Sequence, residues 1–229
     1  MVPLHDNNLT RTTPYVVLAL IAANVVTFLH ELSLSEEGLN RFFYTYAIVP
    51  EQLTASLQSG NLAYVVPQLS TLITSQFLHG GFLHVGGNML FLWVFGNNIE
   101  DQIGHLKFLI FYLICGSLAG LAQWFFFSQS AVPVLGASGA IAGVLGAYIL
   151  RFPRAEVLTL VPFFFFLFTI HIPAVLFLGF WFLQQAVQGV AALQASTGVN
   201  SGGVAYWAHA GGFVFGALLA APFGLFRRR

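Results

Sequence analysis

Ser138-Gly139-Ala140-Ile141-Ala142-Gly143-Val144-Leu145-Gly146-Ala147-Tyr148-Ile149-Leu150 is a membrane-like stretch that Arg151, Pro153 and Arg154 bring to a stop. Its 13 residues make a helix of about 20 Å at about 1.5 Å per residue. A spanning helix has to cover roughly 30 Å of hydrocarbon. With Arg151 held at one membrane surface, Ser138 therefore lies roughly 10 Å below the other. The ten residues Ser128 to Ala137 must descend to meet it, and non-helical backbone at that depth is tolerated only inside protein or beside a water-filled cavity. A short helix with a buried, wet serine at its start is the feature the rest of the chain has to build around.

The surrounding composition is that of a membrane protein. Of 229 residues 57% are hydrophobic and 7% charged, against about 25% charged in soluble domains, and the mean hydropathy is +0.80. Eight Lys and Arg balance eight Asp and Glu, so no basic surface exists to grip nucleic acid. The single cysteine, Cys115, excludes an intrachain disulfide framework, zinc ribbons and CxxC redox sites.

Apolar stretches bounded by charge, Pro or Gly predict six membrane spans, at about 15–32, 81–99, 108–127, 138–150, 172–193 and 203–226. The expected architecture is an all-α membrane protein, one six-helix transmembrane domain over 1–229 with a short central fourth helix. Thr12, Thr13 and Pro14 read as the cap and first-turn proline of the first span. His30, Glu31 and Leu32 follow it where a secretory signal would carry small residues, so it reads as an uncleaved anchor. Within 157–190, Pro162, His171 and Pro173 interrupt the first half. That half, with Phe163 to Phe166, reads as an interfacial or re-entrant segment before the fifth span. The loop at about 33–75 reads as a partly embedded amphipathic segment. Six spans with a cytoplasmic N-terminus put Arg11, Lys107, Arg151, Arg154 and Arg227 to Arg229 inside and only Arg41 outside, as the positive-inside rule requires. Splitting 157–190 into two spans would put the arginine triplet outside. Both termini are thus expected in the cytoplasm, and the lack of an added N-terminal extension points to a bacterial or archaeal cell membrane.

Polar side chains inside spans are costly and mark function by default. His84 and Asn88 are four residues apart on one face of the second span. Ser138 opens the fourth, and His209 sits about two turns into the sixth. In this topology the second, fourth and sixth helices run from outside to inside, so all four residues lie in the outer half of the membrane. Ser and His at hydrogen-bond distance make a nucleophile and its general base. Gly139, Gly143 and Ala147 on the fourth helix, and Gly212, Gly216 and Ala220 on the sixth, repeat at the four-residue spacing that lets helices approach closely. The Ser138 N–H at a helix N-terminus, the Asn88 amide and His84 can serve an oxyanion. Glu100 and Asp101 lie at the inner end of the second span, so the residues fit a Ser/His dyad better than an acid-supported triad.

These residues resemble the rhomboid intramembrane serine proteases. Gly136-Ala137-Ser138-Gly139 looks like that family's GxSG, His84 with Asn88 like its HxxxN, and Ala208-His209 with Gly212 and Gly216 like its AHxxGxxxG. Gly96 to Gly104, with Glu100, resembles the end of its second helix. The resemblance covers essentially the whole chain. It implies Ser138 as nucleophile, His209 as base, His84, Asn88 and the Ser138 N–H as oxyanion stabilisers, and cleavage of other proteins' transmembrane segments near the outer face without metal or ATP; the sequence itself gives no sign of a cofactor. Single-span membrane proteins are the expected substrates. Two positions depart: no Trp-Arg pair stands among Leu69 to Ser75, and Ala142 stands where some members place an aromatic that stacks on the catalytic histidine.

Taken singly, each feature has a plainer reading. Gly-Ala-Ser-Gly alone is a packing motif, and His209 or Asn88 alone an interhelical hydrogen-bonding residue; their joint depth favours catalysis. His79 reads as an interfacial or loop-anchoring residue, and no histidine stands at zinc-ligand spacing. The phenylalanines and Trp93, Trp124, Trp181 and Trp207 read as lipid-facing or belt residues. The competing function is a non-catalytic binder of transmembrane helices on the same fold. A small transporter would call for paired charges or broken helices at the midplane, and only the short fourth helix fits.

Overall fold

A computed structural model of the chain describes residues 1–163, 166–194 and 204–227. Its helices are α1 Tyr15–Ser33, α2 Glu36–Tyr46, α3 Pro50–Ser59, α4 Leu62–Thr74, α5 Phe82–Phe91, α6 Asn97–Ile103, α7 His105–Phe126, α8 Ser138–Arg151, α9 Ala174–Gln194 and α10 Tyr206–Ala220. A π-helical turn, Leu92–Gly96, joins α5 to α6 without a break. Among the described residues, α1, α7 and α9 are long and apolar enough to cross a membrane, while α8 and α10 are shorter apolar helices.

The helix α8 is the axis of the molecule. Every residue from Gly139 to Tyr148 is buried, as expected of a helix apolar all round. It packs on α7, on α10 and on the π turn. Glycine makes the α8–α10 approach possible. A methyl group on Gly212 would overlap the Gly139 carbonyl, one on Gly216 the Gly143 carbonyl, and one on Gly146 the Phe213 carbonyl. Gly139 and Gly143 also face Ala119 and Cys115 of α7, so α8 is wedged between two neighbours at backbone distance.

Two expectations are corrected here. The chain is not all-helical: β1 (Val2–Asp6), β2 (Glu156–Phe163) and β3 (Phe166–Pro173) form an antiparallel sheet in the order β1-β2-β3. The first half of 157–190 is therefore a hairpin and not a re-entrant apolar segment, though Phe164 and Phe165 lie outside the described residues. Ala155, Val157 and Thr159 are buried in alternation, the period of a strand, and Val, Thr, Ile and Phe are the residues that favour one. Pro162 fits because it pairs with Leu167 beyond Leu160, where β1 ends. The other correction concerns the cap of α1. Thr12 and Thr13 do not cap it; Glu100 of α6 accepts the N–H groups of Val16 and Val17 at 2.9 and 2.8 Å. Asp101 next to it accepts from the Arg11 and Thr12 N–H groups and the Thr12 hydroxyl.

The segment 33–75 is three helices, α2 to α4, and α2 buries none of its residues. The sixth span was expected from Gly203, which lies outside the described residues, as do Arg228 and Arg229; α10 ends at Ala220 and turns follow to Phe226.

Candidate active site

Ser138 begins α8 directly after a strained approach. Gly136 has φ of 121°, a region that L side chains rarely adopt. A Cβ there would lie 2.7 Å from His84 Nε2 and 3.6 Å from Ser138 Oγ, so both groups hang over the bare Cα of Gly136. The descending segment is pinned along its length. Ile48 and Val134 exchange backbone hydrogen bonds of 3.0 and 2.7 Å, the Gly136 N–H donates to the Ser75 carbonyl at 2.9 Å, and the Glu51 N–H donates to the Ser130 carbonyl at 3.1 Å. The first loop thus holds the non-helical backbone in which the serine motif sits, satisfying the groups that hydrocarbon cannot.

The glycine-lined crossing brings α10 to Ser138. His209 Nε2 lies 2.7 Å from Ser138 Oγ, within the reach of a proton transfer. The α10 N-terminus is fixed by the buried Gln123 of α7, whose side-chain oxygen accepts the Ala208 N–H at 3.3 Å. Ala142 is packed against Gly212 at this same crossing, which leaves no room there for an aromatic ring.

His84 and Asn88 face the same cavity. The Gly80 N–H donates a long bond, 3.4 Å, to His84 Nδ1, which makes Nε2 the protonated, donating nitrogen above Gly136. Asn88 is buried, and its Nδ2 lies 2.9 Å from His79 Nε2, so one amide hydrogen is used and the other is left for a ligand. His79 is no interfacial residue. It is 1% exposed, its ring meets that of His84 edge-on at 4.9 Å, and its backbone N–H donates to the Glu31 carboxylate at 3.1 Å. Burial first, and then the neighbouring His84, push the His79 imidazole down to about 4, so it is neutral and accepts from Asn88.

A cavity of about 820 Å³ opens over these groups, lined by Ser138, His209, His84 and Asn88 together with apolar residues such as Leu83 and Val134. Its size and lining suit a bound organic segment. All four residues singled out from the sequence border it. Three residues that contact these four from behind were not anticipated in the site: His79; Gln185 of α9, whose Oε1 lies 2.8 Å from His209 Nδ1; and Trp181, whose ring lies 5.8 Å from that of His209. Trp181 also packs on Phe213, so it faces the bundle and not lipid. Trp207 stacks on Phe126 and donates to the Gly189 carbonyl, and Trp124 donates to Thr54. Among the described residues no three His, Cys, Asp or Glu side chains stand together as metal ligands would.

Fold and site together are those of a bundle of apolar, membrane-type helices in which a serine hydroxyl meets a histidine nitrogen beside a cavity. The chain matches the Rhomboid domain model over residues 66–226, and it belongs to the rhomboid family. It is 37% identical to Rhomboid protein 1, mitochondrial, of Saccharomyces cerevisiae over 161 residues, which are 68% of this chain and 42% of that protein. It is 42% identical to Rhomboid protease GluP of Bacillus subtilis over 76 residues, 33% of this chain and 14% of that one. It is 32% identical to Rhomboid-like protein 11, chloroplastic, of Arabidopsis thaliana over 94 residues, 41% of this chain and 33% of that one. The chain spans less than half the length of each of these relatives.

Proposed function

We propose that this protein is an intramembrane serine endopeptidase that cleaves transmembrane segments of other membrane proteins. The observation that carries the reading is the 2.7 Å approach of His209 Nε2 to Ser138 Oγ in a cavity shared with His84 and Asn88. Ser138 Oγ attacks the scissile carbonyl carbon while His209 Nε2 takes its proton. The oxyanion is held by the Ser138 N–H, the free hydrogen of Asn88 Nδ2 and His84 Nε2–H. Collapse breaks the C–N bond, and His209 returns the proton to the leaving amine. Water then attacks the acyl ester with His209 again as base, releasing the acid and restoring Ser138.

In this reading 1–229 is one transmembrane domain with six spans: α1, the continuous α5–α6 rod, α7, α8, α9 and α10. Both termini lie in the cytoplasm, the membrane is the cell membrane, and Ser138 lies in the outer half. The lysine and arginine distribution supports that orientation. The shortness of α8, 14 residues, supports a recessed serine, and the cavity above it supports access for water. The β-hairpin belongs at the inner end, beyond Arg151, because the open edge of β3 carries backbone groups that hydrocarbon would leave unsatisfied. Substrates are single-span proteins whose helix unwinds near the outer boundary, which favours small or helix-breaking residues there.

Cleavage of a single-span reporter by the purified protein in liposomes tests this. The wild type is expected to cut near the outer boundary, and Ser138→Ala and His209→Ala to leave the reporter intact. Equal cellular effects of wild type and Ser138→Ala would favour a non-catalytic binder of transmembrane helices.

A further inference from the structure

We propose that Gln185 is a positioning residue for His209, holding the imidazole in the tautomer that can act as a base; the proposal rests on the Ser138–His209 reading above. Among the described residues no carboxylate bonds His209, and Ala142, one turn after Ser138 on α8, is packed against Gly212. The support comes from α9. Gln185 Oε1 lies 2.8 Å from His209 Nδ1, and Ser138 Oγ lies 2.7 Å from Nε2 on the far side of the ring. An amide oxygen only accepts, so this contact requires a proton on Nδ1. The Nε2 lone pair is then directed at the Ser138 hydroxyl. The opposite tautomer would point an N–H at Ser138 and leave no base.

Two further features suit the role. Gln185 is 8% exposed, and a neutral amide there supplies an acceptor without the desolvation penalty of a buried carboxylate. Its dipole also favours the imidazolium that forms as Ser138 gives up its proton. Trp181 is one helical turn earlier on α9, on the same face. Its ring lies 5.8 Å from that of His209 at an interplanar angle of 31°, which limits how far the imidazole can turn. Gln185 fixes which nitrogen carries the proton, and Trp181 fixes where the ring stands.

The test compares Gln185→Met, which keeps the volume and loses the acceptor, with Gln185→Glu, which keeps an acceptor at the same reach. Gln185→Met should lower kcat on a transmembrane reporter by about 10- to 100-fold, the size of effect that supporting hydrogen-bond partners have in other sites, with KM within about twofold. Gln185→Glu should restore kcat to within a few-fold of wild type. Wild-type kcat in Gln185→Met, a rise in KM that accounts for its loss, or equal damage in Gln185→Glu would overturn the proposal. A second readout is independent of catalysis. In ¹⁵N-histidine-labelled Ser138→Ala protein, the His209 resonances should report a protonated Nδ1, and Gln185→Met in that background should shift them toward the other tautomer. Unmoved resonances would refute the role of Gln185. Undiminished cleavage by Ser138→Ala itself would instead refute the protease reading.

Discussion

Gly136 shows how one backbone position sets the geometry of the site. Its φ of 121° and the His84 ring above its Cα leave no space for a side chain, so Gly136→Ala should displace His84 or the Ser138 approach. We expect kcat to fall at least about tenfold, while the unfolding midpoint moves by no more than the about 1–3 kcal/mol that backbone strain costs. Reporter cleavage and thermal unfolding of the same preparation check this. His79 predicts a pH effect on stability. Burial pushes its imidazole down to about 4 in the fold from near 6.5 when unfolded, so between these values His79 holds more protons in the unfolded chain and its contribution to stability falls as pH is lowered from 6.5 toward 4. His79→Gln keeps an acceptor for Asn88 and removes the titration. Its unfolding midpoint should drop less than that of the wild type over this interval; equal drops would remove His79 as the cause. That Ser138, His209, His84 and Asn88 border one cavity was foreseeable because polar residues are costly in apolar helices and the topology expected all four at one depth. Gln185 carried the same signal, a strongly polar side chain in a span, but with no spacing to tie it to His209, 24 positions away. Its partner becomes visible only once α9 and α10 are packed.

Among the elements, the α8–α10 pair depends on contact between backbones. Gly216→Leu would drive a side chain into the Gly143 carbonyl and should destabilise the protein by about 1–3 kcal/mol or more, with loss of cleavage. Gly179→Ala on α9, where nothing lies within 4 Å, should be close to neutral. Unfolding in mixed micelles separates the two. The N-terminus of α1 depends on Glu100 in the same way. Glu100 is fully buried and accepts from Val16 and Val17 and from His105. Glu100→Ala strands two backbone donors, that of Val17 buried and that of Val16 part-buried, and should cost about 2–5 kcal/mol, read as a lowered midpoint. Small-residue spacing made the first of these interfaces readable in the sequence. The sheet was not, because its hairpin is apolar and proline-interrupted, a pattern that strands share with broken helices when burial is unknown. Asp6 was hidden for a similar reason. It lies in β1, outside any span, and bonds Tyr148, Asn98 and Asn8, while burial raises its carboxyl above the usual range.

At the scale of the whole molecule, the fold surrounds one short helix with longer ones. α7 and α10 flank α8 at glycine distance, α9 supports His209 from outside, and α2–α4 hold the loop that leads into Ser138. In the proposed function, the cavity of about 820 Å³ above Ser138 admits water to a recessed serine and holds an unwound stretch of a substrate helix. The central claim is that Ser138 is an activated nucleophile with His209 as its base. A fluorophosphonate serine probe applied to the purified, folded protein in detergent tests it most directly. Labelling at Ser138 in the wild type, and none in Ser138→Ala or His209→Ala, is the predicted result. Absence of labelling in folded wild-type protein, or labelling that survives His209→Ala undiminished, would contradict it.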